Sequence, residues 1–251
     1  MRNRILLSAI AVACLARAQA PETPRLSWLR DASGALRPLL GFAANSMAGP
    51  ARESGVLSVA SSGTWALAKT SRELIVFDPA GTEAGRLPAP DGTALFAFAL
   101  DGEPAAALFP ETGLLLLWSG GRFETAGWKP ARDEEVLAVA GAISFLVRRG
   151  DAVWRVDRAV PDGRVTREQA LPGVGAPALL RPDGSVLYVD GKDLVLRSPD
   201  AGEQRVELPG TATALNELAG DWVCVRLPDR QVAVSFSGAA PRVFELPGGE
   251  R

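Results

Sequence analysis

The chain has 251 residues, 47% of them hydrophobic, with 27 basic and 29 acidic side chains and no histidine. Without histidine, Ser-His-Asp and Cys-His nucleophilic pairs, imidazole bases and the usual zinc, copper and haem ligands are unavailable. The slightly acidic balance also argues against a general nucleic-acid or anionic-membrane surface, which wants excess positive charge.

The first twenty residues, MRNRILLSAIAVACLARAQA, place Arg2 and Arg4 before an apolar run from Ile5 to Leu15 and end in small residues. This order is that of a secretory signal peptide, and the run is too short for a membrane span of about 20 residues. Cleavage after Ala18 is favoured, because cleavage after Ala20 leaves Pro21 at the new terminus; 1–18 is therefore the expected leader and 1–20 its alternative. Loss of Arg2, Arg4 and Arg17 leaves a net charge of about −5. Lipid anchoring through Cys14 is the less favoured reading, since Ala11 stands where a lipobox has a larger aliphatic residue. Expected localisation is thus extracytoplasmic, periplasmic or secreted, with no transmembrane segment. If Cys14 leaves with the leader, Cys224 is the only remaining cysteine. A chain without a disulfide in an oxidising compartment must rely on its core, for which about 230 residues in one all-β domain suffice.

Next in the chain, RLSWLRDASGALRPLLGF (25–42) reads as strand, turn at Asp31 and Gly34, strand. Beyond it, short apolar runs recur between Gly, Pro and Asp with no competing helical stripe. Two glycine series keep time. Gly63, Gly102, Gly141, Gly184 and Gly220 are spaced by 39, 39, 43 and 36 residues. Gly81, Gly121, Gly163, Gly202 and Gly238 are spaced by 40, 42, 39 and 36. A period near 40 with three or four short strands per unit is the length of a β-propeller blade. The parts are VLSVA, WALAKT, ELIVFD and GRLP in the first unit, LFAFAL, AAALF and LLLLW in the second, and VLAVA, ISFLV and AVWRV in the third. The inner runs are nearly continuously apolar, as strands covered on both faces must be. The expected fold is all-β: five full blades over 54–251 plus a partial, two-stranded sixth from the hairpin in 19–53, with a five-bladed ring and peripheral hairpin as the alternative.

These repeats carry a resemblance. RPDGSVLYVDGKDLVL resembles the PDG-plus-strand repeats of secreted bacterial propellers of the YVTN and quinoprotein-like kind, and ELIVFDPAG resembles the third strand and turn of WD-type blades. The resemblance implies the fold and carries no function, because propellers host many.

Four aspartates fall between Arg181 and Gly202: Asp183, Asp190, Asp193 and Asp200. In a blade, Asp183 and Asp200 lie in turns at one end while Asp190 and Asp193 flank the turn at the other, about 17 Å away at ~3.3 Å per residue. One metal ion cannot gather them, and Asp-Gly is a preferred hairpin corner. They are expected to turn corners. No metal site and no cofactor is expected, and no catalytic residue can be assigned. The RGD at Arg149–Asp151 is likewise expected to be an ordinary turn.

The candidate surface is the face formed by the second-to-third strand turns and the connections between blades. It carries Arg72, Glu73, Glu111, Arg149, Asp151, Asp190, Lys192, Asp193, Asp229 and Arg230, both signs alternating around a ring, with Trp128, Lys129 and Arg132 in a connection on the same face. The bland reading is a solvated rim with Trp128 plugging a gap between blades; the functional reading makes Trp128 a stacking platform. The sequence thus points to a secreted, non-enzymatic scaffold for a protein or cell-envelope glycan. The alternative is a carboxylate-dependent hydrolase or lyase acting on a glycan or lactone at the propeller funnel.

Overall fold

The computed structural model describes residues 24–247 apart from 128, 132, 133, 161 and 219. The described residues form one three-stranded and five four-stranded antiparallel sheets, with no helix. The three-stranded sheet is β1 (Arg25–Arg30), β2 (Leu36–Phe42) and β3 (Asn45–Ala48). The first full blade is β4 (Ser58–Ser61), β5 (Ala66–Lys69), β6 (Glu73–Phe77) and β7 (Glu83–Pro88). The second is β8 (Leu95–Phe98), β9 (Pro104–Phe109), β10 (Leu114–Ser119) and β11 (Arg122–Thr125). The third is β12 (Glu135–Ala140), β13 (Ser144–Arg149), β14 (Ala152–Arg158) and β15 (Val165–Ala170). The fourth is β16 (Ala178–Leu180), β17 (Val186–Asp190), β18 (Asp193–Ser198) and β19 (Gly202–Glu207). The fifth is β20 (Ala214–Glu217), β21 (Trp222–Arg226), β22 (Gln231–Ser235) and β23 (Arg242–Leu246).

Every glycine of both series has positive φ, between 54° at Gly141 and 89° at Gly238. The beat is therefore set by the tight corners that left-handed backbone allows. Burial follows blade logic. Strands β5 and β9 are buried at every position, whereas the outer β15 is exposed at every position. Middle strands lie between two neighbouring blades and outer strands face water, so polarity rises outward.

The first strands β4, β8, β12, β16 and β20 touch in turn, and β20 touches β4 to complete the ring. The Asn216 amide, oriented so that its nitrogen donates, reaches the Val59 carbonyl at 3.0 Å across this last junction. The three-stranded sheet is wedged behind it. Trp28 and Leu36 pack with Val59, Ala68, Ile75 and Phe77 on one side. Leu29 and Leu39 pack with Leu218, Cys224, Ala233 and Leu246 on the other. Strand β1 lies beside β4, and Arg30 at its end meets Val56 just before β4 begins, so β1 runs opposite to β4 as a second strand does. The partial sixth blade thus supplies second, third and fourth positions and lacks an inner strand. Expectation placed two strands there. The third, NSMA, is short and half exposed, and has no apolar run to announce it. Strand β23 pairs with β22 and so closes its own four-stranded sheet.

Candidate functional site

The five inner strands enclose a channel with a cavity of about 160 Å³. Its walls are largely Ala, Leu and Val, with Ser58, Asn216, Glu217, Arg30 and Arg226 as the polar exceptions. The two ends differ in charge. At the end of the first-to-second strand turns, Glu217 faces Arg181 at 3.3 Å, beside a shallower recess that also takes in Asp183 and Asp221. Burial pushes the Glu217 carboxyl above its ordinary range; Arg181 pulls it partly back and the charge of Asp183 pushes it further up. Asp183 is occupied as a turn cap, accepting from the Ser185 N–H at 2.8 Å and its hydroxyl at 2.6 Å. Asp221 accepts from the Ser235 hydroxyl; despite burial, which alone would raise it, hydrogen bonds from Ser235 and Ser237 hold its carboxyl low. Burial thus favours retention of the Glu217 proton, whereas the hydrogen bonds on Asp221 favour its loss.

At the opposite end, Arg226 Nη2 donates to the Arg30 carbonyl at 3.0 Å, and the Gln231 amide donates to the same oxygen at 2.9 Å. The Arg30 Nε donates to the Val56 carbonyl. Neither guanidinium forms an ion pair among the described residues. Burial lowers the Arg226 pKa, and the neighbouring Arg30 charge lowers it further.

The sequence-derived ring surrounds this second mouth, because all five second-to-third strand turns lie at that end. Its members are brought to one face, but several are occupied within their own blades. Arg149 pairs with Glu134 at 2.5 Å and Glu168 at 2.8 Å and stacks 5.9 Å over Trp154. Asp190 and Asp193 share Arg205, at 2.8 and 3.9 Å, and Glu73 pairs with Arg86 at 2.6 Å. Asp229 lies 3.9 Å from Arg230, and Glu111 lies against Gly92; burial lowers the Lys69 pKa, an effect that the charges of Asp91 and Glu111 only partly offset. Arg72, Asp151 and Lys192 are exposed, and Lys129 is exposed above Gly113. Trp128 and Arg132 lie outside the described residues. The RGD is the β13–β14 corner, with Gly150 at φ 60°.

The aspartate stretch is a hairpin series: Asp190 is directly opposite Asp193, and Ser198 opposite Gly202, so the two aspartate pairs lie at opposite blade ends. Among the described residues no group of His, Cys, Asp and Glu side chains could hold a metal ion. Four other tryptophans serve packing: Trp28 on Phe77, Trp65 on Trp118, Trp118 on Phe123, and Trp222 on Phe244. Sequence reasoning missed Arg30, Arg181, Glu217 and Arg226. Each sits at or just beyond a strand end, Arg181 at the head of a structural repeat and the others with no motif around them, and only ring closure turns those ends toward one axis.

No protein-family model and no curated protein matches the chain. Solved structures do match. PorZ of Porphyromonas gingivalis, a bacterial surface component of the type-IX secretion system, aligns with a TM-score of 0.52 at 11% identity, covering 90% of this chain and 37% of PorZ. This chain is a β-propeller. A functionally unknown protein from Desulfotomaculum acetoxidans aligns with a TM-score of 0.50 at 14% identity, over 87% of this propeller and 77% of its own chain. Streptogramin B lyase aligns with a TM-score of 0.47 at 12% identity over 91% of this chain and 85% of its own. At such identities the likeness extends to the fold alone. No helix among the described residues is long and apolar enough to cross a membrane.

Proposed function

We propose that this propeller is a non-enzymatic scaffold, delivered outside the cytoplasm by residues 1–18, that binds a protein or a cell-envelope ligand through the face of its second-to-third strand turns. The observation that carries this reading is the ring itself: five corners of mixed charge stand around one mouth of the channel. Arg72, Asp151, Lys192 and Lys129 project from it as exposed side chains that no strand pairing requires. Mixed-sign rims of this kind favour orientation and partner choice over raw affinity. The test is retention of envelope components by the immobilised protein, compared with an Arg72→Glu/Lys192→Glu variant of equal melting temperature. A partner retained by the parent and released by the variant supports the face. Equal retention by both removes it. N-terminal sequencing of the exported chain checks the leader: Gln19 first is the expected result.

Glu217 supports a second reading, a carboxylate-dependent hydrolase or lyase acting at the opposite mouth. Its raised pKa beside Arg181 suits a general acid. Turnover of a glycan or lactone that disappears in Glu217→Gln would carry that reading; none in the parent would end it.

A further inference from the structure

We infer that Arg30 and Arg226 form a binding site for a small organic anion, whose carboxylate or phosphate bridges the two guanidiniums while its body enters the channel.

The first support is charge. The Arg226 guanidinium reaches the Arg30 backbone at 3.0 Å, the two side chains are close enough for the Arg30 charge to act on Arg226, and both residues line the same cavity. Neither has an acidic partner among the described residues. Glu217 belongs to the far mouth: Arg226 is paired with Ala214, and three residues of strand from Ala214 to Glu217 put about 10 Å between those ends. Glu217 also already holds Arg181. Two like charges in a partly buried cleft repel, and an anion between them relieves that repulsion as well as accepting charge-assisted hydrogen bonds.

The second support is preorganisation. Arg226 is held on the Arg30 carbonyl and Arg30 on the Val56 carbonyl, each through one N–H. A guanidinium has five N–H donors in a fixed fork, so donors remain for a planar or tetrahedral oxyanion. The neutral Gln231 amide fastens the same carbonyl at 2.9 Å, fixing the backbone between the two arginines without cancelling their charge.

The third support is size. The cavity of about 160 Å³ has walls dominated by Leu57, Leu95, Leu137, Leu179 and Leu215. A cavity of ~150 Å³ accommodates benzene. The site therefore fits an anion with a compact apolar body. It lies at the mouth that the partner-binding rim surrounds but uses none of that rim's charged residues, so the two can fail separately.

The test uses the leader-free protein and three probes: benzoate, inorganic phosphate, and benzyl alcohol as the neutral isostere of the first. Binding is read by ligand-observed NMR and by the rise in melting temperature. Benzoate or phosphate should bind in the millimolar range or tighter, and benzyl alcohol should bind at least tenfold more weakly. Arg30→Gln and Arg226→Gln should each weaken the anion at least tenfold, while Arg122→Gln, which removes equal charge from an outer strand, should leave it unchanged. Both variants lose a hydrogen bond, Arg226→Gln to the Arg30 carbonyl and Arg30→Gln to the Val56 carbonyl, so each variant's own unfolding is measured; Arg30→Gln keeps the bonds that Arg226 and Gln231 donate to its backbone carbonyl. Benzoate without phosphate assigns the site to carboxylates, and phosphate without benzoate to phosphoryl groups. Failure of both anions to bind the parent, equal binding of benzyl alcohol, or unchanged binding in both arginine variants overturns the proposal.

Discussion

The Arg226 side chain donates at 3.0 Å to the backbone carbonyl of Arg30, joining positions 196 residues apart. With Gln231 on the same oxygen at 2.9 Å, this is the polar part of the seam where the last full blade meets the three-stranded sheet. A ring without covalent closure depends on such contacts and on the β20–β4 junction, because the remaining junctions join blades that follow one another in the chain.

Replacing Gln231 with Leu therefore tests the seam. The substitution removes the bond to Arg30 and the contact with the Cys224 thiol at 3.3 Å. An expected cost of about 1–3 kcal/mol follows from loss of a buried hydrogen-bonding group. Urea unfolding gives the magnitude, and hydrogen exchange should show β1 and β21 losing protection before β9 and β13.

Leu39 is fully buried between the three-stranded sheet and the last blade. Leu39→Ala should cost about 2–5 kcal/mol as a core truncation. If the three-stranded sheet were a peripheral ornament, the loss would be near zero, and thermal unfolding distinguishes the two.

Asp31 carries the acid sensitivity of the same sheet. Burial alone would raise its pKa, but bonds from Arg37 at 2.6 Å, Ser33 and the Ala35 N–H hold it at about 2. A carboxyl depressed on folding stabilises the protein above its unfolded pKa and loses that contribution as pH falls through the folded value. The contribution, on the order of 2 kcal/mol, should fade between about pH 4 and pH 2. Asp31→Asn should lower stability at pH 7 and flatten that limb, as followed by chemical denaturation across pH.

Cys224 is the opposite case. Complete burial pushes its thiol up to about 12, with Arg226 offsetting only part of the effect. It should resist thiol reagents at pH 8 while folded and react at once in denaturant. Because its pKa rises on folding, its stabilising contribution is intact below about pH 8.5 and is lost as pH climbs toward 12. Cys224→Ala should remove that part of the alkaline decline.

Much of this architecture was legible because it is local. Asp183 and Gly184 declare a corner within four residues, and Gly184 does take φ 85°. Repeating such corners at intervals near 40 counts five blades, since a blade is a contiguous run of neighbouring strands. The sixth was only partly visible: RLSWLR and LRPLLGF have apolar runs, whereas NSMA gains its place by pairing with β2. Charges such as Arg149 looked available in sequence, yet the folded blade brings Glu134 and Glu168 to it.

By itself, then, the sequence determined the strand alternation, the corners, the blade count near five and the absence of imidazole chemistry, all properties of residue type and short spacing. Only the tertiary structure decided that β20 meets β4, that Arg30 faces Arg226, and that Glu217 is buried with Arg181 at the other mouth. The physical reason is that closing a ring brings strand ends from different blades onto one axis, and no periodicity along the chain encodes which ends will meet there.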